Sequence, residues 1–397
     1  MTNRKSDNLP PEEREQAAPR RRGTLRRVFS VFLVLAVVLG IVAFAAYRDL
    51  NSLDSVRRLL SYNKVEQDEQ GRAGLYSYDA DRTNVYALLG NRLVVASTTK
   101  LSVIANDGTQ VYSQSVRMTN PAIAVGGHVA IIYDVGGKNA FLVGEKGLLR
   151  DYSEACDEGI LAASLNASDY LTLTTERSGY KSVVSVYNPT GTALFAFHSS
   201  DSYVLDACVL RDCKHLASAT AGETDGVFSS TLDIYSLSNG TLESSNVLTG
   251  SLVLSLSNIG NRLAALGDDR LTIFGGDGSL AGSYRYEYPY LRTFSTLGAN
   301  YDALLFSRYK SGSTFRLVTV SPDGETLGTA DINREVLGVS AAGKYIAVLC
   351  SGSLTIYTSN LSEYAVLEDT NYAKNVIMRD DGTALLLGTS EAWLYIP

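Results

Sequence analysis

From Arg72 onward the chain alternates short apolar runs with turn residues roughly every 8 to 12 positions, the pattern of an all-β sandwich, barrel or propeller. The runs are apolar on both faces, as in Leu93-Val94-Val95-Ala96 and Tyr345-Ile346-Ala347-Val348-Leu349. Strands with this character are covered on both sides. An internal repeat near 40 residues decides for the propeller. Residues 259–279, IGNRLAALGDDRLTIFGGDGS, align without a gap on residues 89–109 at a shift of 170. Gly90, Asn91, Arg92 and Leu93 then match Gly260, Asn261, Arg262 and Leu263. Leu101, Val103, Asp107 and Gly108 match Leu271, Ile273, Asp277 and Gly278. A shift of 83 reaches Gly343, Ile346, Leu354 and Ile356, and one of 122 reaches Gly382, Leu385, Trp393 and Tyr395.

Counted from the innermost strand, the units fall at 83–116, 117–157, 158–203, 204–250, 251–290, 291–335, 336–375 and 376–397. Most carry four apolar runs; in the fifth these are 252–256, 262–266, 271–274 and 280–284. The third and fourth runs are joined by Asp/Asn-Gly pairs such as Asp107-Gly108, Asn239-Gly240, Asp277-Gly278 and Asp323-Gly324, which tight hairpins need. These glycines are turn chemistry, not phosphate cradles. The last unit stops at Pro397 without an outermost strand, and an unassigned strand, residues 74–78, precedes the first. Pairing the two closes the ring and removes an exposed edge. The expectation is an eight-bladed β-propeller over residues 72–397. Seven blades is the alternative if the second unit merges with a neighbour.

Ahead of the repeats stand twenty residues without a charge, 28–47, VFSVFLVLAVVLGIVAFAAY. A helix of that length covers about 30 Å, the thickness of a bilayer core. Residues 1–27 are Pro-containing, mixed in charge and nearly free of apolar side chains, the composition of a disordered tail. Arg20, Arg21, Arg22, Arg26 and Arg27 would hold that end in the cytoplasm by the positive-inside rule, leaving residues 72–397 outside. Ala43-Phe44-Ala45 offers a rival, a cleavage site that would release the propeller, but run and tail are both long for a signal peptide. Arg26-Arg27-Val28-Phe29 resembles a twin-arginine signal, except that Leu25 replaces the usual Ser or Thr. No Cys follows the span closely, which argues against a lipoprotein anchor. Residues 48–71 divide into a stalk, with Leu50, Leu53, Val56 and Leu60 at near-helical spacing, and a polar linker from Ser61. A dimer seam or interfacial helix is the alternative for the stalk.

Charge narrows the partners. Residues 1–27 hold eight Lys/Arg against four Asp/Glu, so the net −7 divides into +4 there and −11 over the rest. An acidic body repels phosphate backbones, which argues against nucleic acid. Four cysteines in 397 residues make no disulfide framework. The one metal-like spacing is Cys208-x4-Cys213-x-His215; separate thiols with an exposed His is the plainer expectation, and a local disulfide is the other. Residues 79–84, DADRTN, start like a calcium loop but lack its central Gly, and Gly90 stands where its last Glu belongs. No Gly-x-Ser-x-Gly, His-Glu-x-x-His, P-loop or Rossmann fingerprint occurs, so neither a catalytic residue nor a cofactor is assigned. Propeller active sites gather from scattered loops, which keeps an enzyme at the channel mouth as a third reading.

The single span, the propeller and the Gly-x-x-[Leu/Ile]…Leu-x-[Val/Ile] repeat together resemble a family of bacterial membrane proteins with an extracytoplasmic propeller domain of unknown function. More distantly the blades are similar to quinoprotein-type repeats and to propeller lipoproteins that scaffold outer-membrane assembly. The Trp-docking residues of quinoprotein blades are missing, since Trp393 is the only Trp, and the Trp-Asp pair of WD40 repeats is absent. The resemblance therefore implies an interaction scaffold and carries over no cofactor.

Loops between second and third strands share one rim with the links between blades, and loops on a rigid scaffold are where function collects. Three are long: Arg177, Tyr180 and Lys181 lie in the third unit, Asp225 and Phe228 in the fourth, and Arg308, Tyr309 and Lys310 in the sixth. Tyr288 and Tyr290 sit in the connector between units five and six. Tyr and Arg are enriched in interface anchors. These ten residues form the expected contact rim for an envelope protein or peptide, with residues 28–47 as the membrane contact. A glycan or small-ligand sensor is the alternative function. Solvated hairpins with tyrosines covering blade edges would look the same in sequence.

Overall fold

The computed structural model describes residues 29–40, 54, 57, 58, 62 and 66–397. Two compact units divide the chain, Met1–Asn63 and Lys64–Pro397. In the first, residues 29–40 are helical, inside the uncharged run. Among the described residues no helix is long and apolar enough to cross a membrane. The tail 1–27, the ends of the run 28–47 and most of the stretch 48–65 lie outside the described residues.

The second unit is an eight-bladed propeller, with eight antiparallel four-stranded sheets. The first blade contains Val85–Leu89, Arg92–Ala96, Lys100–Ile104 and Gln110–Ser115. Blades two to seven span residues 121–151, 160–199, 204–249, 253–285, 290–332 and 336–368. In each, the strands pair in chain order from the channel outward. The eighth takes Asn375–Met378, Ala384–Leu387 and Glu391–Tyr395 from the carboxy-terminal end and Arg72–Ser77 from the other. That closing strand begins two residues earlier than the pattern predicts. Its register sets Arg72 opposite Tyr395, Gly74 opposite Trp393 and Ser77 opposite Glu391, with a bulge between Gly74 and Tyr76.

Burial on both faces follows from blade stacking. Leu304, Phe306, Val318 and Val320 of blade six meet Ile259, Leu266, Leu271 and Ile273 of blade five, each at most 1% exposed. Similar clusters fill the seams from blades one and two through to seven and eight. Each fully covered aliphatic side chain is worth about 1.5–3 kcal/mol, so the seams carry most of the stability. No blade could keep that gain alone.

The repeat motif has a mechanical reason. Gly260 turns the chain between first and second strands at φ 58°, and Gly90 does so at the same angle. Arg262 then donates from Nη1 to the Pro322 carbonyl at 2.7 Å and pairs with Asp323 in the next blade. Arg92 reaches Glu145 of its own next blade at 3.6 Å. Elsewhere the latch changes chemistry: Arg150 of blade two donates to the Thr190 carbonyl of blade three, and Asp169 accepts from the His128 backbone N–H. Exposed ion pairs are worth about 0–1 kcal/mol, so these fix blade phase more than they stabilise.

Closure concentrates on Tyr76, which is 3% exposed. Its hydroxyl accepts from Arg379 Nη2 at 2.9 Å and donates to the Asn91 carbonyl of blade one. Tyr76→Ala should cost about 3–5 kcal/mol, the usual loss for a buried aromatic truncated to Ala. Hydrogen exchange is the check: amides of Glu391–Tyr395 should lose protection before those of the blade-five strands do.

Candidate functional site

Chain order gives the propeller two unlike ends. One end collects the turns between first and second strands and those between third and fourth. Most of the latches above lie there, and so do the entry and exit of the chain, where the Ile396 N–H donates to the Gly71 carbonyl. The opposite end collects the second-to-third loops and the blade-to-blade links, and it carries every residue of the expected rim.

In blade four the central hairpin, His215–Thr224 with Val227–Ser236, outgrows its neighbours. The inner strand pairs only up to Thr220 and the outer one only from Ser229. The pairs Glu223–Phe228 and Thr224–Val227 therefore stand beyond both. Asp225 and Gly226 make the turn, at φ 54° and 77°. Phe228 is 70% exposed at its base, with Val227 beside it. In blade three a Ser178-Gly179 turn sets Tyr180 opposite Arg177. The Tyr180 ring tilts against His198 at 4.8 Å, and Lys181 Nζ lies 5.1 Å from the ring of exposed Tyr203. Arg177 faces Asp157 at 3.8 Å.

The blade-six loop is fastened from below. Arg292, on the innermost strand, donates Nε to Ser307 Oγ and Nη2 to the carbonyls of Tyr309 and Lys310. Ser307 Oγ in turn donates to the Tyr309 carbonyl. With its backbone held, the loop presents Arg308, Tyr309 and Lys310 to solvent, Tyr309 at 60% exposure. Tyr290 stays partly open, 5.7 Å from the Arg292 guanidinium. Tyr288 differs: it is half-buried against the seam of blades five and six, with the Arg316 guanidinium 4.9 Å from its ring. Arg316 is itself paired with Glu287 and Asp331.

Pattern reading missed a collar at this same end. Five successive innermost strands, those of blades three to seven, carry a bulge one or two residues from their start. The residues left out of pairing are Leu161, Leu205, Leu254, Arg292 and Leu337 at the channel mouth. Leu254 is 53% and Leu337 39% exposed. Bulges re-aim side chains and gather near binding sites. The sequence hides them because an apolar run reads the same with or without an extra residue.

Other sequence hints resolve into structure. All four cysteines are free, so the local disulfide does not form, and burial pushes the Cys156 thiol up to about 11. Both His215 nitrogens face carboxylates, Asp212 at 2.5 Å and Glu243 at 3.0 Å, while Cys213 Sγ accepts from Asn166. Among the described residues no three His, Cys, Asp or Glu side chains are placed to share a metal ion. In the calcium-like stretch Asp79 pairs with Lys100, and Asp81 accepts from the Thr83 N–H and hydroxyl.

A sequence profile matches residues 63–390, the propeller almost alone. The chain belongs to the family of unknown function DUF5711. No curated protein matches it. Its fold is similar to that of BamB from Moraxella catarrhalis, at TM-score 0.52 and 12% identity over 82% of this chain and 100% of the other. The computationally designed Ika8 protein gives 0.54 at 11%, over 82% and 99%. The C-terminal WD40 domain of Sif2 gives 0.54 at 13%, over 84% and 99%. At these identities the likeness to each is one of fold. The DUF5711 propeller shares its ring with proteins of quite different sequence, so its rim must be judged on its own residues.

Two acids in this DUF5711 chain are lifted above the ordinary carboxylate range. Burial raises Asp206, on an innermost strand, to about 6, although it accepts from the Leu256 and Ala207 N–H groups. Asp302 is 1% exposed with neither oxygen hydrogen-bonded, and burial alone raises it to about 7. Both sit above the ordinary 3.8, so the folded state holds protons that the unfolded chain releases. Their stabilising share is present below about pH 4 and fades as pH rises through 6 to 7. Urea midpoints should therefore fall between pH 5 and 8 on account of these groups. In Asp302→Asn the decline should be shallower, with the variant gaining on wild type toward pH 8.

Proposed function

We propose that this chain is a membrane-anchored, extracytoplasmic protein-interaction scaffold of the cell envelope, with the long-loop end as its contact surface. The observation that carries the reading is the asymmetry of the two ends. Most turns at the end where the chain enters are short and several are latched to a neighbour. The far end offers Tyr180, Phe228, Tyr309 and the bulged collar, with the blade-six loop fixed from beneath. A partner meeting that end gains aromatic and aliphatic burial without first ordering a floppy loop, and ordering is a main cost of association. The likeness to BamB and to a WD40 domain supports a propeller used as a platform, and the family description leaves the partner open.

Co-purification from detergent extracts after crosslinking tests the surface. Tyr180→Ala, Phe228→Ala and Tyr309→Ala together should deplete the bound partner at least tenfold, since exposed-aromatic anchors are commonly worth 1–2 kcal/mol or more each. An unchanged set of partners would remove the rim from the account. For the location, an impermeant amine reagent applied to intact cells should label Lys310; labelling only after lysis would place the propeller inside.

A further inference from the structure

One sector of the rim carries its charge differently from the rest. Blade six and the link that follows it bring Arg292, Arg308, Lys310 and Arg334 to the surface from three separate elements: an innermost strand, a second-to-third loop and a blade-to-blade link. Among the described residues none of these four is paired with a carboxylate. Other rim cations are answered: Arg177 by Asp157, Arg270 by Asp269, and Arg316 by Glu287 and Asp331. Residues 290–295, 308–314 and 333–335 hold a single acid, Glu335, although residues 28–397 are acidic overall. The positive excess is local and runs against the trend of the chain.

The same sector interrupts the collar. The bulged position is leucine in blades three, four, five and seven and arginine only in blade six. In ring order, Arg292 thus sets a guanidinium between Leu254 and Leu337 at the channel mouth. Its hydrogen bonds to the Tyr309 and Lys310 carbonyls hold the loop cations beside it. Arg334 reaches the other way, donating from Nη1 to Ser353 Oγ of blade seven at 2.8 Å. The Arg308 guanidinium lies 5.7 Å from the Tyr309 ring, which stays open to solvent. Positive charge, an aromatic ring and aliphatic side chains therefore alternate across one blade and its flank. A phosphate polymer or a sheet of anionic headgroups would also have to meet Asp225, Asp268 and the other acids of neighbouring blades, which repel it. A narrow segment with carboxylates spaced by apolar side chains meets the cations and avoids those acids.

We propose that this sector docks an acidic, extended segment of a partner protein, its carboxylates on Arg308, Lys310 and Arg334 and an aliphatic side chain on the collar at Leu337. The proposal rests on the long-loop end being the contact surface and adds the chemistry that meets it there. Charges that face solvent act mainly on the rate of encounter and are screened by ions, so binding should weaken as salt rises.

Fluorescence anisotropy on the full-length protein in detergent tests this, with a labelled peptide alternating Glu and Leu as the probe. Saturable binding is expected, stronger than for the same peptide with Gln in place of Glu, and weaker at high salt. Arg308→Gln, Lys310→Gln and Arg334→Gln together should raise Kd about tenfold, the combined loss of three exposed ion pairs. All three side chains are exposed, so the melting temperature should stay near that of wild type. Lys214→Gln, at the latched end, should bind as wild type does. No binding of the Glu peptide, equal binding of the Gln peptide, an unchanged Kd in the triple variant, or stronger binding to phosphatidylglycerol vesicles or single-stranded DNA would each overturn the proposal. The two readings fail separately. Peptide binding with an unchanged set of co-purified partners removes only the wider rim, and lost partners without peptide binding remove only this assignment.

Discussion

Everything in this molecule depends on sheets that must be covered on both faces. Leu304 and Phe306 have no alternative to Ile273 and Leu271, and the same holds around the circle. Such a stack has no natural end, so it stays exposed at two faces unless it returns on itself. The six residues Arg72–Ser77 supply the return, pairing with Glu391–Tyr395. The acids and arginines at the turns then settle how each blade sits on the next, a matter of registration and not of bulk free energy.

Function, on this view, is what the ring leaves over. At one end the turns are spent on holding neighbours, as Arg262 on Pro322 and Asp323 shows. At the other, Arg292 holds the blade-six loop by its backbone and so frees its side chains. The same split separates Tyr288, committed to a seam, from Tyr309, exposed to solvent beside Arg308. Rigid loops with free side chains are what a contact surface requires.

Much of the architecture was legible before any coordinates. Gly260 and Arg262 recur at Gly90 and Arg92 because the same turn and the same reach to the next blade recur, so the repeat was a record of geometry. The strand before the first unit was legible as a closing piece because the last unit lacked one. Rim positions were legible from loop length, but not their fates: nothing in the sequence separates Tyr288 from Tyr290. Bulges at Leu254 and Leu337 left no trace, since alternation was already blurred by burial on both faces. Asp302 reads as an ordinary strand-start acid; only packing reveals that both its oxygens are sealed in.

The hydroxyl of Tyr78, next to the closing strand, reaches the Glu391 carbonyl across 313 positions of chain. Contacts at such separation form slowly, because nearly the whole loop must be gathered first. During synthesis the clasp emerges long before its mate, and spends that time as an unpaired edge beside an apolar segment. Seven blades can stack while they wait, yet the circle stays ajar until Glu391–Tyr395 has been made. Closing the ring therefore waits on synthesis of the third strand of blade eight, not on the stacking of the blades before it.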